Sequence, residues 1–154
     1  TAGNASGGSV IAQPGAKNGS GLDGGVFNRG TFQFWKQPAP QTATATATLT
    51  VAQMTGGILA ATPAAAVNYT LPTGTDMKAA LPTDLAADDS FELSIINLGG
   101  TTNFDITLLV GTDFTIVGSA VVRPGVDSET EHAGQAVFRV RFVSGVTFIA
   151  YRIA

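Results

Sequence analysis

The chain has 154 residues, about one ordinary domain, with 44% apolar residues and only 12% charged ones, roughly half the ~25% usual in soluble domains. Cysteine is absent, which excludes a disulfide frame, a thiolate metal site and a cysteine nucleophile. The net charge of −3 divides unevenly: Lys17, Arg29 and Lys36 against Asp23 make residues 1–40 mildly basic, and the remainder is acidic. Three cations are too few for the clustered basic face that nucleic acid requires.

A small domain has a large surface to cover, and charge normally covers much of it. Here Thr, Ala and Gly must do so, which predicts that much of the surface meets partner subunits, whose interface cores are depleted in charge. No charged segment followed by an apolar one opens the chain, so no secretion signal is expected, and Thr1 fits removal of an initiator Met. The longest apolar stretch, Ile106 to Val122, carries Asp113 and two glycines and falls short of a membrane span of roughly 20 apolar residues.

In chain order, residues 1–41 read as an extended, glycine-rich N-terminal arm, with nine glycines in the first 36 residues and scarcely any apolar periodicity before Phe27. Such a segment has too little side chain to bury against its own entropy. The arm carries Phe27, Arg29, Phe32, Phe34 and Trp35, with Phe32 and Phe34 alternating against Gln33 and Trp35 as a short strand does. These aromatics either cap the domain's own core or anchor the arm on a neighbouring subunit, since buried aromatics dominate interface energetics. They are the candidate contact residues. Pro38 and Pro40 form a stiff joint to a body over residues 42–154.

Thr42 to Val51, TATATATLTV, alternates strictly and predicts one strand, because β-branched Thr favours extended backbone. The 39 residues between Lys36 and Asp76 are uncharged and are expected to lie against other copies. Thr75 and Asp76 before MKAAL predict a short N-capped helix stopped by Pro82, and Asp84 to Asp89 a further turn. Strands are then predicted at Phe91–Leu98, Phe104–Val110, Phe114–Val117, Ala120–Arg123, Ala136–Val143 and Val146–Ile153, the last two a hairpin across Ser144-Gly145. In the hairpin, Phe138, Val140 and Phe142 face one way and Arg139 and Arg141 the other. No fixed-period internal repeat is present. The fold class that follows is mostly β: a single β-sandwich or jelly-roll-like barrel with an extended arm.

The motifs carry little chemistry. Gly19-Ser-Gly21-Leu-Asp-Gly24 matches the dinucleotide pattern but lacks the strand before and the helix after that would aim backbone N–H groups at a pyrophosphate. His132, the sole histidine, stands near Asp127, Ser128, Glu129 and Glu131, with no G-x-S-x-G elbow to frame a nucleophile. The same stretch lacks the spacing of a calcium loop and reads as a solvated acidic loop. Asp88 and Asp89 are adjacent, the wrong spacing for a glycosidase pair, and read as caps. Three glycosylation sequons, at Asn4, Asn18 and Asn68, carry no weight in so Ser- and Thr-rich a chain. No enzyme, cofactor or metal is expected from these residues.

The stretch TATATATLTVAQMTGGILAATPAAAVNYTLPTGTDMKAAL, then INLGGTTNFDITLLVGTDFTIVGSAVV and the closing FRVRFVSGVTFIAYRI, resembles small virion proteins of tailed bacteriophages, most of all capsid decoration or cement proteins. The likeness covers about residues 42–154 and is one of texture and motif order. It implies a non-enzymatic protein on the capsid surface of the virion, mounted on the major capsid protein and self-associated, commonly as a homotrimer, with an extended arm on the shell. It implies neither nucleic-acid nor membrane partners. A tail, baseplate, fibre or spike component is the alternative in the same class. A receptor- or carbohydrate-binding module is the alternative outside it, although the body holds only Tyr69 and Tyr151 and no Trp to build a sugar platform.

Overall fold

The computed structural model describes residues 37–101, 103–125 and 134–154. The chain divides into two units, Thr1–Lys36 and Gln37–Ala154, and every described residue belongs to the second. The Gly19–Gly24 match, the aromatic cluster at Phe27, Arg29, Phe32, Phe34 and Trp35, and the Asp127–His132 stretch lie outside the described residues.

The body is mostly β, with two mixed sheets and two short helices. Its elements are β1 (Gln41–Ala43), β2 (Ala47–Thr48), α1 (Val51–Thr55), β3 (Ile58–Ala61), β4 (Val67–Thr70), α2 (Gly74–Ala80), β5 (Ser90–Asn97), β6 (Ile106–Leu109), β7 (Phe114–Val117), β8 (Val121–Val122), β9 (Gln135–Ser144) and β10 (Thr147–Arg152). A six-stranded sheet has the order β1-β3-β5-β9-β10-β7 and a four-stranded sheet the order β2-β4-β6-β8. Each runs between two edge strands, so neither closes into a barrel among the described residues.

The predicted single strand over TATATATLTV is corrected. Gln41–Ala43 joins the larger sheet, the chain crosses at residues 44–46, and Ala47–Thr48 joins the smaller one. Val51 then opens a helix instead of ending the strand. The reason is Thr50: its hydroxyl accepts from Gln53 N at 3.2 Å while Gln53 Oε1 accepts from Thr50 N at 2.8 Å, a capping box that outweighs local β propensity. The second helix is present where expected, but its cap is Thr73, whose hydroxyl accepts from Asp76 N at 3.1 Å. Thr75 and Asp76 lie inside the helix.

The first six strands alternate between the sheets and pair in parallel with the strands that precede them on the same sheet. Gln41 lies beside Leu59 and Ala47 beside Tyr69; Ile58 then lies beside Ser94 and Val67 beside Ile106. Passage through the opposite sheet and a helix supplies the long crossover that parallel neighbours need. A strand–strand–helix succession thus occurs twice, and the two occurrences share a small motif. Leu49 and Leu71 point into the core, a capping Thr follows (Thr50, Thr73), and a buried Met closes the turn (Met54, Met77). The windings differ in length, so no fixed period marks them in the sequence. Beyond β6 the pairing turns antiparallel, β5 with β9, β9 with β10 and β6 with β8, while β10 pairs β7 in parallel.

One buried cluster draws side chains from both sheets: Leu59, Leu93, Ile95, Phe138, Val140 and Phe148 from the larger, and Val67, Tyr69, Ile106, Leu108 and Val122 from the smaller. Phe148 stacks on Phe114 at 5.2 Å between centroids and meets Phe142 at 5.3 Å, and Lys78 Nζ lies 4.7 Å over the Phe142 ring. Among the described residues Asn97 is the one polar side chain buried with that core, 1% exposed. Its Nδ2 donates to Phe104 O and Val122 O, each at 2.8 Å, and its Oδ1 accepts from Gly99 N at 2.9 Å. It therefore ties β5 of one sheet to β8 of the other. One residue along β8, Arg152 on β10 does the same, its Nη1 donating to Val121 O at 2.5 Å.

Tyr69 is fully buried, and its hydroxyl has no hydrogen-bond partner among the described residues. Burial raises its pKa above that of an ordinary phenol. As pH climbs past about 10, the unfolded chain gives up this proton while the folded chain keeps it, so Tyr69 lowers stability in that range. Tyr69→Phe is expected to match the wild type or exceed it by about 1 kcal/mol at neutral pH and to show a shallower alkaline decline. Urea unfolding across pH 7–11 checks this, and a loss of about 2 kcal/mol at pH 7 would contradict it.

Candidate interaction surface

The alternation that buries one side of each strand fixes what the other side presents. On the larger sheet the register sets the outward residues in rows. Val117, Tyr151, Arg139 and Glu92 form one row across β7, β10, β9 and β5, and Thr115, Ile149, Arg141 and Ser90 form the next. Val137, Ser94 and Ile58 form a third, extended by Ile153, whose N–H donates to Val137 O; Gln135, Ile96, Ala60 and Thr42 form a fourth. Val117 and Ile153 are among the exposed large apolar residues of the body.

The charges on this face are few and paired with one another. Arg139 donates to Glu92 Oε1 through Nε at 3.2 Å and Nη2 at 2.5 Å. Arg141 donates to Asp88 Oδ1 at 2.5 Å and to Tyr151 Oη at 3.3 Å, with its guanidinium 5.9 Å over the Tyr151 ring. The bond to Asp88, then that to Tyr151, raises the Arg141 pKa above its ordinary value, so this cation stays charged at any working pH. Asp88 reaches its partner from a turn with a φ of 75°, just before β5. Side chains of Arg139 and Glu92 are about half exposed, so each pair alone contributes little to stability. Their consequence is a face that is locally neutral, its other positions divided between aliphatic or aromatic residues and uncharged Ser, Thr and Gln.

Within the strands of the smaller sheet no outward residue is charged, although Asp105 and Arg123 adjoin the ends of β6 and β8. Thr48, Thr70 and Leu109 lie in one row and Asn68, Thr107 and Val121 in the next. Thr46 Oγ1 accepts from Asn68 N at 3.0 Å, which ties the crossing segment to this sheet. Leu109 and the following Val110 are both exposed.

The residues with candidate chemistry stand apart from one another. Asp89 Oδ2 accepts from Ala86 N at 2.8 Å and caps a turn, while Asp88 pairs with Arg141, so the two adjacent acids serve separate local bonds. Asn68 is exposed mid-strand on β4. Among the described residues no three His, Cys, Asp or Glu side chains gather into a cation site, and no helix is long and apolar enough to cross a membrane. Sequence reasoning placed Arg139 and Arg141 on the outward side but missed Glu92, Asp88 and Tyr151 as their partners. The parity of Glu92 within Phe91–Leu98 was the available signal; the register of β5 against β9 was not readable.

Comparison with family models, with curated protein sequences and with solved structures finds no match to this chain.

Proposed function

We propose that this protein is a structural component of a tailed-bacteriophage virion, a capsid decoration or cement protein. In this reading a sandwich-like body of two facing sheets sits on the capsid surface, self-associates, and binds the major capsid protein through the N-terminal arm. The observation that carries the reading is the character of the body's two outward sheet faces. The strands of one carry no outward charge, and the charges of the other are paired within it, so covering either with protein leaves no charge of those strands buried unpaired. A freely solvated domain of this size normally spreads unpaired charge over such faces.

The arm residues Phe27, Arg29, Phe32, Phe34 and Trp35 would supply much of the capsid contact. Each ~100 Å² of apolar surface buried contributes on the order of 2.5 kcal/mol, which must offset the entropy of ordering the arm. Removing residues 1–36 keeps Gln37, whose Nε2 donates to Gly56 O at 2.7 Å, and so leaves the described body intact. The truncated chain is expected to fold, with the circular dichroism of the full chain's body, and to lose binding to phage heads in co-sedimentation by at least 100-fold. Undiminished occupancy on the heads would overturn the proposed role of the arm.

A further inference from the structure

The outward face of the larger sheet carries its charges in two adjacent columns. Arg139 and Arg141 lie on β9; Glu92 on β5 and Asp88 just before it make the neighbouring column. The columns are in register, with Arg139 beside Glu92 and Arg141 beside Ser90. This arrangement has a symmetry property. Turn a second copy over about a twofold axis that runs along the strands midway between β5 and β9. Its basic column then lies over the first copy's acidic column at the same height, and its acidic column over the basic one.

One aliphatic pair obeys the same operation. β3 and β10 stand one strand further out on either side of the axis. Ile153, beyond the end of β10, shares a row with Val137, Ser94 and Ile58 of β3. The rotation therefore sets Ile153 of one copy on Ile58 of the other, aliphatic on aliphatic. We propose that this face is a self-complementary twofold interface, and that its occupant is a second copy of the chain.

The face is of modest size. Rows four strands wide, ~4.8 Å apart, and four rows deep, ~6.8 Å apart, present at most about 500 Å² per copy, or about 1,000 Å² in total, the low end of specific interfaces. Each carboxylate, already bonded to one guanidinium in its own chain, gains a second across the axis, so no charge is buried unpaired. An isologous contact of this kind closes on itself and stops at two copies. It differs from the threefold association that the phage resemblance implies, and it does not depend on placement in a virion.

The test uses the intact chain and two column variants. Asp88→Arg with Glu92→Arg makes both columns basic, and Arg139→Glu with Arg141→Glu makes both acidic. Light scattering on the wild type is expected to give twice the 15.6 kDa chain mass. Each variant alone, with circular dichroism and Tm near those of the wild type, is expected at a single chain mass. An equimolar mixture is expected to return to twice that mass, because opposite columns now face each other only across the axis. A wild type at one or three chain masses, variants that still pair with themselves, or a mixture that stays at one mass would each overturn the proposal.

Discussion

Replacing Asn97 with leucine is expected to cost the body about 3–5 kcal/mol and to lower its Tm by roughly 10 °C or more. Leucine has the same branching with bulkier methyl ends, so no cavity opens and the loss comes from hydrogen bonding, with some crowding. The substitution strips partners from Phe104 O, Val122 O and Gly99 N at a site 1% exposed. Each buried group left unsatisfied costs about 1–3 kcal/mol. The damage reaches beyond one loop because the Val122 bond joins the two sheets. Asn97→Asp retains an acceptor for Gly99 N but loses both donated bonds and places a carboxylate in the core, so it is expected to be no better tolerated. Urea denaturation measures both; a change below 1 kcal/mol for the leucine variant would contradict the cross-sheet role.

The second large effect is expected at Gly74. A Cβ there would lie 1.8 Å from Val146 O and 2.8 Å from Asp113 Cβ, where the start of α2 meets the β9–β10 turn. No side-chain rotation relieves a clash with a backbone carbonyl, so either α2 or the hairpin turn must shift. Gly74→Ala is expected to destabilise by about 3 kcal/mol or more, in the range of strained overpacking. Gly100 provides the control: a Cβ added there would meet nothing within 4 Å, and its φ is ordinary. Gly100→Ala is expected within about ±0.5 kcal/mol of the wild type. Equal losses at the two glycines, read by urea denaturation, would contradict the tight packing described at α2.

Much of the strand map was legible because burial on one side leaves a period of two. Phe138, Val140 and Phe142 point inward as their spacing requires, with Arg139 and Arg141 outward, and Phe114–Val117 has its predicted bounds. The region before α2 was legible only in part. In Thr42 to Val51 the Thr/Ala alternation spoke for a strand, while Thr50 with Gln53 three residues later spoke for a helix start, and local capping prevailed. The parallel pairing of the first six strands was not legible at all, since it depends on contacts between segments far apart in sequence, through windings of unequal length.

The same limit applies to the surface. Outward positions followed from parity, but which charge meets which depends on the pairing of β5 with β9. Asn97 had a faint signal in its own neighbourhood, an Asn two residues before Gly99-Gly100 at a strand end, of the kind that hydrogen-bonds a turn. That its amide crosses to Val122 required the second sheet to be in place.

In the proposed reading, sheet faces this poor in free charge are covered by protein. Sedimentation velocity on the purified 154-residue chain, from low micromolar to high micromolar concentration, tests it most directly. The expected result is an assembly of defined stoichiometry, with the twofold contact giving two copies. A single chain that stays monomeric and soluble across the whole range would contradict it.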